Sequence, residues 1–264
     1  MKILVVGDSC KDVFIYGDIT RLTPEAPVPV FNPLRETEND GMARNVSSNV
    51  EALKVDIHTI TNPNSIKKVR YVDDKSNQLV LRVDEHDYCD RIDDMILSMI
   101  QDNECYIPMS GKVKVDAIII SDYCKGFLWE EDIKFICENN DNVFVDTKKK
   151  LGEWVENCTY LKINSLEYES NEEFLNEYYG IMDKTIVTKG RKGCLFRDEI
   201  YSTDDVPVKD ISGAGDTFLA GLVVRYVQTG DIIESISFAQ DCTKRVVQKH
   251  GYPLYEKYSC HTSS

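Results

Sequence analysis

Basic charge, histidine and paired cysteines are scarce in this chain, and each shortage argues against a class of function. Lys and Arg total 31 against 45 Asp and Glu, a formal net charge of −14. Nucleic acids and anionic membranes are bound through basic patches, so neither is an expected partner. Any phosphate ligand must be held by local donors against an adverse global field, where magnesium would help. The four histidines (58, 86, 250 and 261) form no HExxH and no evident triad, and are read as structural or surface residues. None of the nine cysteines forms a CxxC pair, so zinc-site spacing is missing. Their odd number points to reduced thiols and a cytoplasmic location. No apolar run reaches transmembrane length. The opening MKILVVGDSC has too short an apolar run for a leader and is expected to form a first strand. Repeats, low-complexity tracts and long linkers are also missing.

The 264 residues, 42% of them hydrophobic, allow one large domain, or a domain with a small appendage, around a sizeable core. Short β-branched runs end in polar residues: Ile3–Val6 before Gly7-Asp8, Ala117–Ile120 before Ser121-Asp122, Val143–Val145 before Asp146, Tyr160–Ile163 before Asn164, and Thr185–Val187 before Thr188-Lys189-Gly190. Residues 90–103, 130–139 and 166–179 can form intervening helices. This alternation predicts a three-layer α/β/α fold around a mainly parallel sheet. Ligands in such folds collect beyond the C-terminal strand ends, where these polar residues fall. Residues 12–34, with Pro24, Pro27 and Pro29, and residues 67–84, which alternate like a hairpin, predict a small β-sheet lid. The α/β core is expected over 1–11, 35–66 and 85–264, with 252–264 as a C-terminal extension.

The stretch Asp210-Ile211-Ser212-Gly213-Ala214-Gly215-Asp216 runs into an apolar helical pattern that ends near Gly230. Gly213 and Gly215 let backbone N–H groups approach an anion at a helix N-terminus. A carboxylate there needs a task, such as taking a proton from an attacking hydroxyl. Phosphoryl transfer combines those features. A glycine-containing turn with an N-cap aspartate is the bland alternative.

With these motifs in place, the chain resembles the ribokinase-like (PfkB) family of carbohydrate kinases. The Asp210–Asp216 stretch is similar to the family's C-terminal signature. Asn164-Ser165-Leu166-Glu167 resembles its N-x-x-E element, Thr188-Lys189-Gly190 its T-[KR]-G element, and Gly41-Met42-Ala43-Arg44-Asn45-Val46 its glycine-rich sugar element. Within the family, Arg21-Leu22-Thr23-Pro24-Glu25-Ala26-Pro27-Val28-Pro29-Val30 is similar to a segment of the heptose 7-phosphate kinases that general sugar kinases lack. Gly7-Asp8 with Asp12, the run Ser121–Gly126, and Lys68–Asp84 with Arg82 share that narrower likeness.

The resemblance implies ATP and Mg²⁺ as cofactors and Asp216 as general base, with Gly213, Ala214 and Gly215 holding the transferred charge. Asn164, Glu167, Lys148, Lys189, Gly190 and Ser212 would serve the nucleotide, and Glu167 would reach Mg²⁺ through water. Asp8, Asp12, Gly41 and Asn45 would grip the sugar. Arg21, Arg70, Arg82, Lys125 and Lys148 are the candidates for its phosphate. A homodimer through the lid is implied as well. A kinase for another sugar or a nucleoside, and a non-catalytic relative, stay open as alternatives. The chain departs from the family in the short stretch between Leu53 and Lys67, where members usually carry an extra helix and strand. Asp146-Thr147-Lys148-Lys149 replaces the usual D-P-K-G, and Phe238-Ala239-Gln240-Asp241 stands where F-A-N-A is typical. Arg44 either reaches an anionic substrate or faces solvent.

Overall fold

A computed structural model describes residues 1–63, 66–107, 111–208 and 211–248. Asp210 and the expected extension at 252–264 lie outside them. The apolar runs fold as strands β1 (Lys2–Gly7), β9 (Ala117–Asp122), β10 (Val143–Thr147), β11 (Tyr160–Asn164) and β12 (Thr185–Thr188). With β4 (Asp56–Thr61) they pair in parallel, and β13 (Cys194–Phe196) and β14 (Glu199–Tyr201) add an antiparallel edge. The order is β14-β13-β12-β11-β10-β9-β1-β4.

Alternation along these strands divides the core in two. Leu4, Val6, Ile118, Ile120, Val143 and Val145 pack on one face with Ile133 and Ile136 of helix α3 (Glu130–Asn139) and Leu175 of α4 (Ser165–Glu177). Ile3, Val5, Ile119, Phe144 and Ile186 pack on the other, against α1 (Ala43–Ala52), α6 (Ala214–Thr229) and α7 (Ile232–Val247). This is the expected ribokinase-like α/β/α arrangement with a mainly parallel sheet.

A separate four-stranded sheet has the order β3-β2-β5-β6, from β2 (Ser9–Leu22), β3 (Pro29–Met42), β5 (Ile66–Asp73) and β6 (Leu79–Glu85). It takes in residues 9–11, 35–42, 66 and 85 beyond the expected 12–34 and 67–84. Pro29 and Pro33 sit on β3, the outer strand, the part of a sheet where proline is tolerated. Pro24 and Pro27 lie in the β2–β3 connection, closed by Thr23 Oγ1 donating to the Ala26 carbonyl at 2.8 Å.

The 90–103 stretch differs from expectation. Only α2 (Asp94–Ser98) forms, capped by Asp93. Asp102 and Asn103 then adopt positive φ (58° and 55°), turning the chain into β7 (Glu104–Ile107), which pairs with β8 (Gly111–Lys114). A short α5 (Tyr179–Met182) follows α4.

Candidate active site

Gly7 ends β1 so close to β9 that an added Cβ would meet the Ser121 carbonyl oxygen at 1.9 Å. That approach delivers Asp8 beneath the loop after β9. Asp8 is fully buried, and its Oδ2 accepts from the amides of Tyr123 (2.7 Å) and Lys125 (3.1 Å). Its Oδ1 accepts from Phe127 N (3.2 Å) and Cys89 Sγ (3.7 Å). Four donors occupy about all the lone pairs a carboxylate offers. Asp8 therefore organises the 123–127 loop, and a direct grip on sugar hydroxyls does not fit this geometry.

The loop turns Tyr123 toward Asp216. Its hydroxyl donates to Asp216 Oδ1 at 2.7 Å, and Asn45 Nδ2 donates to Oδ2 at 2.7 Å. Asp216 sits in the first turn of α6, behind Gly213 at φ 74°, and is only 4% exposed. Burial pushes its carboxyl up to about 6, against the lowering effect of these two hydrogen bonds. The Ala214 amide donates to the Ile211 carbonyl at 3.1 Å, so this one of the three expected amides is engaged inside the turn. Ser212 lies half-buried just ahead of it.

Beneath the turn is a residue sequence reasoning missed. Lys162, on β11, is buried, and its ammonium lies 3.0 Å from where a Cβ on Gly215 would stand. It pairs with buried Asp146 at 2.6 Å. Burial pushes the Asp146 carboxyl up, but Lys162 and Lys148 outweigh it and hold the group below the usual carboxylate range. Lys148 pairs with Glu167 and lies 3.6 Å from Asp146. Burial pulls the Lys148 ammonium down, but these carboxylates leave it raised overall.

Asn164 and Glu167 form a capping box at the start of α4. Asn164 Oδ1 accepts from Glu167 N at 2.9 Å, and Glu167 Oε2 accepts from Asn164 N at 2.8 Å. Asn164, with Ser165 and Leu166 after it, borders a cavity of about 570 Å³ that is also reached by Lys148, Lys162, Gly190, Gly215 and Phe218. Gly190 and Arg191 line it, whereas Lys189 does not. Gln240 also lines it and donates from Nε2 to the Tyr201 carbonyl at 2.6 Å, tying α7 to β14.

On the small sheet, register brings Asp12, Lys68 and Asp84 into one row and Phe14, Arg70 and Arg82 into the next row on the same face. Arg70 pairs with Asp12, Arg82 with Asp84 (2.6 Å) and Lys125 with Asp87 (2.5 Å). Gly41 backs onto Asp12, whose Oδ2 lies 2.4 Å from where a Cβ would stand. Arg21 is exposed near the β2–β3 tip, and Arg44, also exposed, lies 4.0 Å from Asp40. Lys68 is half-buried, 5.9 Å from the Tyr123 ring, with no carboxylate within 4 Å among the described residues.

A buried carboxylate at a glycine-opened helix N-terminus thus lies next to a turn that borders a cation-lined cavity, at the C-terminal ends of a parallel sheet in a ribokinase-like fold. The chain belongs to the pfkB family of carbohydrate kinases, whose sequence profile matches residues 44–254. Curated relatives include the bifunctional protein HldE of Helicobacter pylori, 27% identical over 96% of this chain and 64% of that one. HldE of Campylobacter jejuni is 29% identical over 95% and 62%. The chain thus spans less than two thirds of the length of these relatives. Among solved structures, Escherichia coli phosphofructokinase-2 in complex with potassium superposes with a TM-score of 0.70 at 12% identity, over 96% and 94% of the two chains. Arabidopsis thaliana ribokinase complexed with ribose and ATP gives 0.65 at 13%, over 94% and 93%.

Proposed function

We propose that this chain transfers the γ-phosphoryl group of ATP to the anomeric hydroxyl of a heptose 7-phosphate. The observation that carries the chemistry is Asp216: buried, held by two neutral donors, and ionised at neutral pH with its value near 6. It would take the hydroxyl's proton as the new O–P bond forms. Lys162 and the Gly213 and Gly215 amides would face the charge on the moving group, and such positioning is most of the catalysis in phosphoryl transfer.

The donor set suits a magnesium ion held through water. Glu167 Oε1 already meets Lys148 and Asn164 Nδ2, and Oε2 meets the Asn164 amide. No group of three or more His, Cys, Asp or Glu converges among the described residues. Mg²⁺ keeps several waters and few protein ligands, so Glu167 would hold it through water beside the nucleotide phosphates, where it neutralises charge.

The heptose 7-phosphate reading rests on the Arg21–Val30 segment and on the similarity to HldE. Arg70, Arg82 and Lys125 are each partnered by a carboxylate, which leaves Lys68 as the cation best placed to receive the substrate phosphate. Lys68→Met is expected to raise KM for heptose 7-phosphate roughly tenfold or more, with KM for ATP unchanged. Steady-state kinetics check this. An equal rise for both substrates, or wild-type turnover of heptose lacking the 7-phosphate, contradicts the assignment.

The small sheet would act as a lid that excludes water. Leu22, Leu34, Leu79 and Leu81 on it are each more than half exposed, which supports a homodimer through this sheet. Light scattering should give twice the chain mass, falling to one chain in Leu81→Lys. A monomeric wild type contradicts the dimer. The eight described cysteines are all free thiols, in keeping with the cytoplasmic location we propose.

A further inference from the structure

The loop after β9 is built more firmly than a connection requires. Its amides at 123, 125 and 127 converge on the two oxygens of Asp8, and Cys124 is turned to φ 58° with its N–H on Asp122 Oδ1 at 3.1 Å. Asp122 is pinned in turn by Thr147 Oγ1 (2.5 Å) and Lys149 Nζ (3.0 Å). The result is a tyrosine whose backbone is held by Asp8, the residue after β1, and whose hydroxyl reaches across to α6. Asn45, the other donor to Asp216, is also braced. Its Oδ1 accepts from Asn49 Nδ2 at 3.3 Å, and Asn49 Oδ1 accepts from Thr217 Oγ1 at 3.1 Å.

We propose that Tyr123 is a positioning residue for Asp216: its hydroxyl on Oδ1, opposed by Asn45 on Oδ2, fixes the carboxylate so that its remaining lone pairs meet the acceptor hydroxyl. The proposal rests on the reading of Asp216 as the base. Two of about four acceptor positions are filled and two are left for the substrate. Tyr123 also lines the cavity of about 570 Å³, with Lys148 5.4 Å from its ring. It therefore joins Asp216 to that cavity.

A donor to a carboxylate favours the ionised form. The charged groups around Asp216 partly cancel: Asp146 raises its value and Lys162 lowers it. Lys148 on the β10 side and Cys10 on β2 also feel its charge. The α1 side contributes only the neutral Asn45 and Asn49. Removing the phenol hydroxyl takes away the first of the two hydrogen bonds that oppose burial. The base would then be protonated over more of the neutral range.

Tyr123→Phe keeps the ring, so it separates the hydroxyl from the loop's packing. The protein, labelled at the aspartate γ-carbons, is titrated by carbon NMR, with Asp216→Asn identifying the resonance. The wild-type midpoint is expected near 6, and that of Tyr123→Phe about one unit higher. The acid limb of kcat for heptose 7-phosphate should move with it, costing roughly tenfold near pH 6 and only a few-fold above pH 8, with KM for ATP unchanged. Asp8→Asn, which loosens the loop and keeps the hydroxyl, should shift the limb the same way by less. An unmoved midpoint in Tyr123→Phe, or a loss of kcat equal at every pH, overturns the proposal. Undiminished turnover by Asp216→Asn would instead overturn the base reading, whatever the resonance does.

Discussion

Asp216→Asn is expected to lose roughly 10²–10⁴-fold or more in turnover and yet to melt higher than the wild type at pH 8. The two effects share a cause. Asp216 is buried at the N-terminus of α6, and burial is the largest influence on its carboxyl, raised from 3.8 to about 6. A carboxyl raised on folding binds its proton more tightly in the native state. Above about pH 6 the ionised group therefore costs stability, and below the unfolded value near 3.8 that cost is gone. Asparagine keeps hydrogen bonding to Asn45 and Tyr123 and removes the buried charge. The gain at pH 8 is of order 2–3 kcal/mol, and a chain this long gains about 2–4 °C per kcal/mol. Calorimetry at pH 8 and pH 4 checks it: the variant should lead clearly at the first and only slightly at the second. A lower melting point at pH 8 contradicts the account of a base kept ionised at the expense of stability.

Lys162→Met is expected to lower both stability and turnover, by about 3–5 kcal/mol for the first. The Lys162–Asp146 pair has both side chains less than 5% exposed. Removing the lysine leaves Asp146 buried with only Lys148 nearby, at 3.6 Å. A carboxylate held low contributes stability at neutral pH and loses it on acidification, so the deficit should be largest near pH 7 and shrink as pH falls. Lys148→Met removes a more exposed partner (30%) and should cost less. Urea denaturation at pH 7 and pH 4 reads these differences. Equal midpoints for Lys162→Met and the wild type would remove Lys162 from the account.

Most of the main sheet was legible because parallel strands buried on both faces read as continuous apolar runs, as in Ile3–Val6 and Ala117–Ile120. The glycine turn and the N-x-x-E element were legible because their residues are neighbours in sequence. Lys162 was not, although a lysine inside Tyr160–Ile163 was a usable signal: a charge in a strand destined for burial needs a partner. That partner, Asp146, lies on the neighbouring strand, and only the register of β10 against β11 brings them together. The partners of Asp8 were hidden for the same reason. Its position beyond β1 was visible, but the amides that fill its oxygens come from 115 to 119 residues away. Lys68 stands out only once pairing across β2, β5 and β6 shows which cations are already neutralised. The helix read over 90–103 is only Asp94–Ser98: Asp93 caps its start, and beyond its end two consecutive left-handed residues, Asp102 and Asn103, turn the chain.

The most direct test is phosphorus NMR of a reaction containing purified protein, Mg·ATP and heptose 7-phosphate, run beside ribose, fructose 6-phosphate and adenosine, and beside Asp216→Asn. The account predicts ADP and a second sugar phosphate resonance coupled to the anomeric proton, formed from heptose 7-phosphate alone and missing in the variant. A phosphate on any other hydroxyl, preferential turnover of another acceptor, or free phosphate as the only product would contradict it.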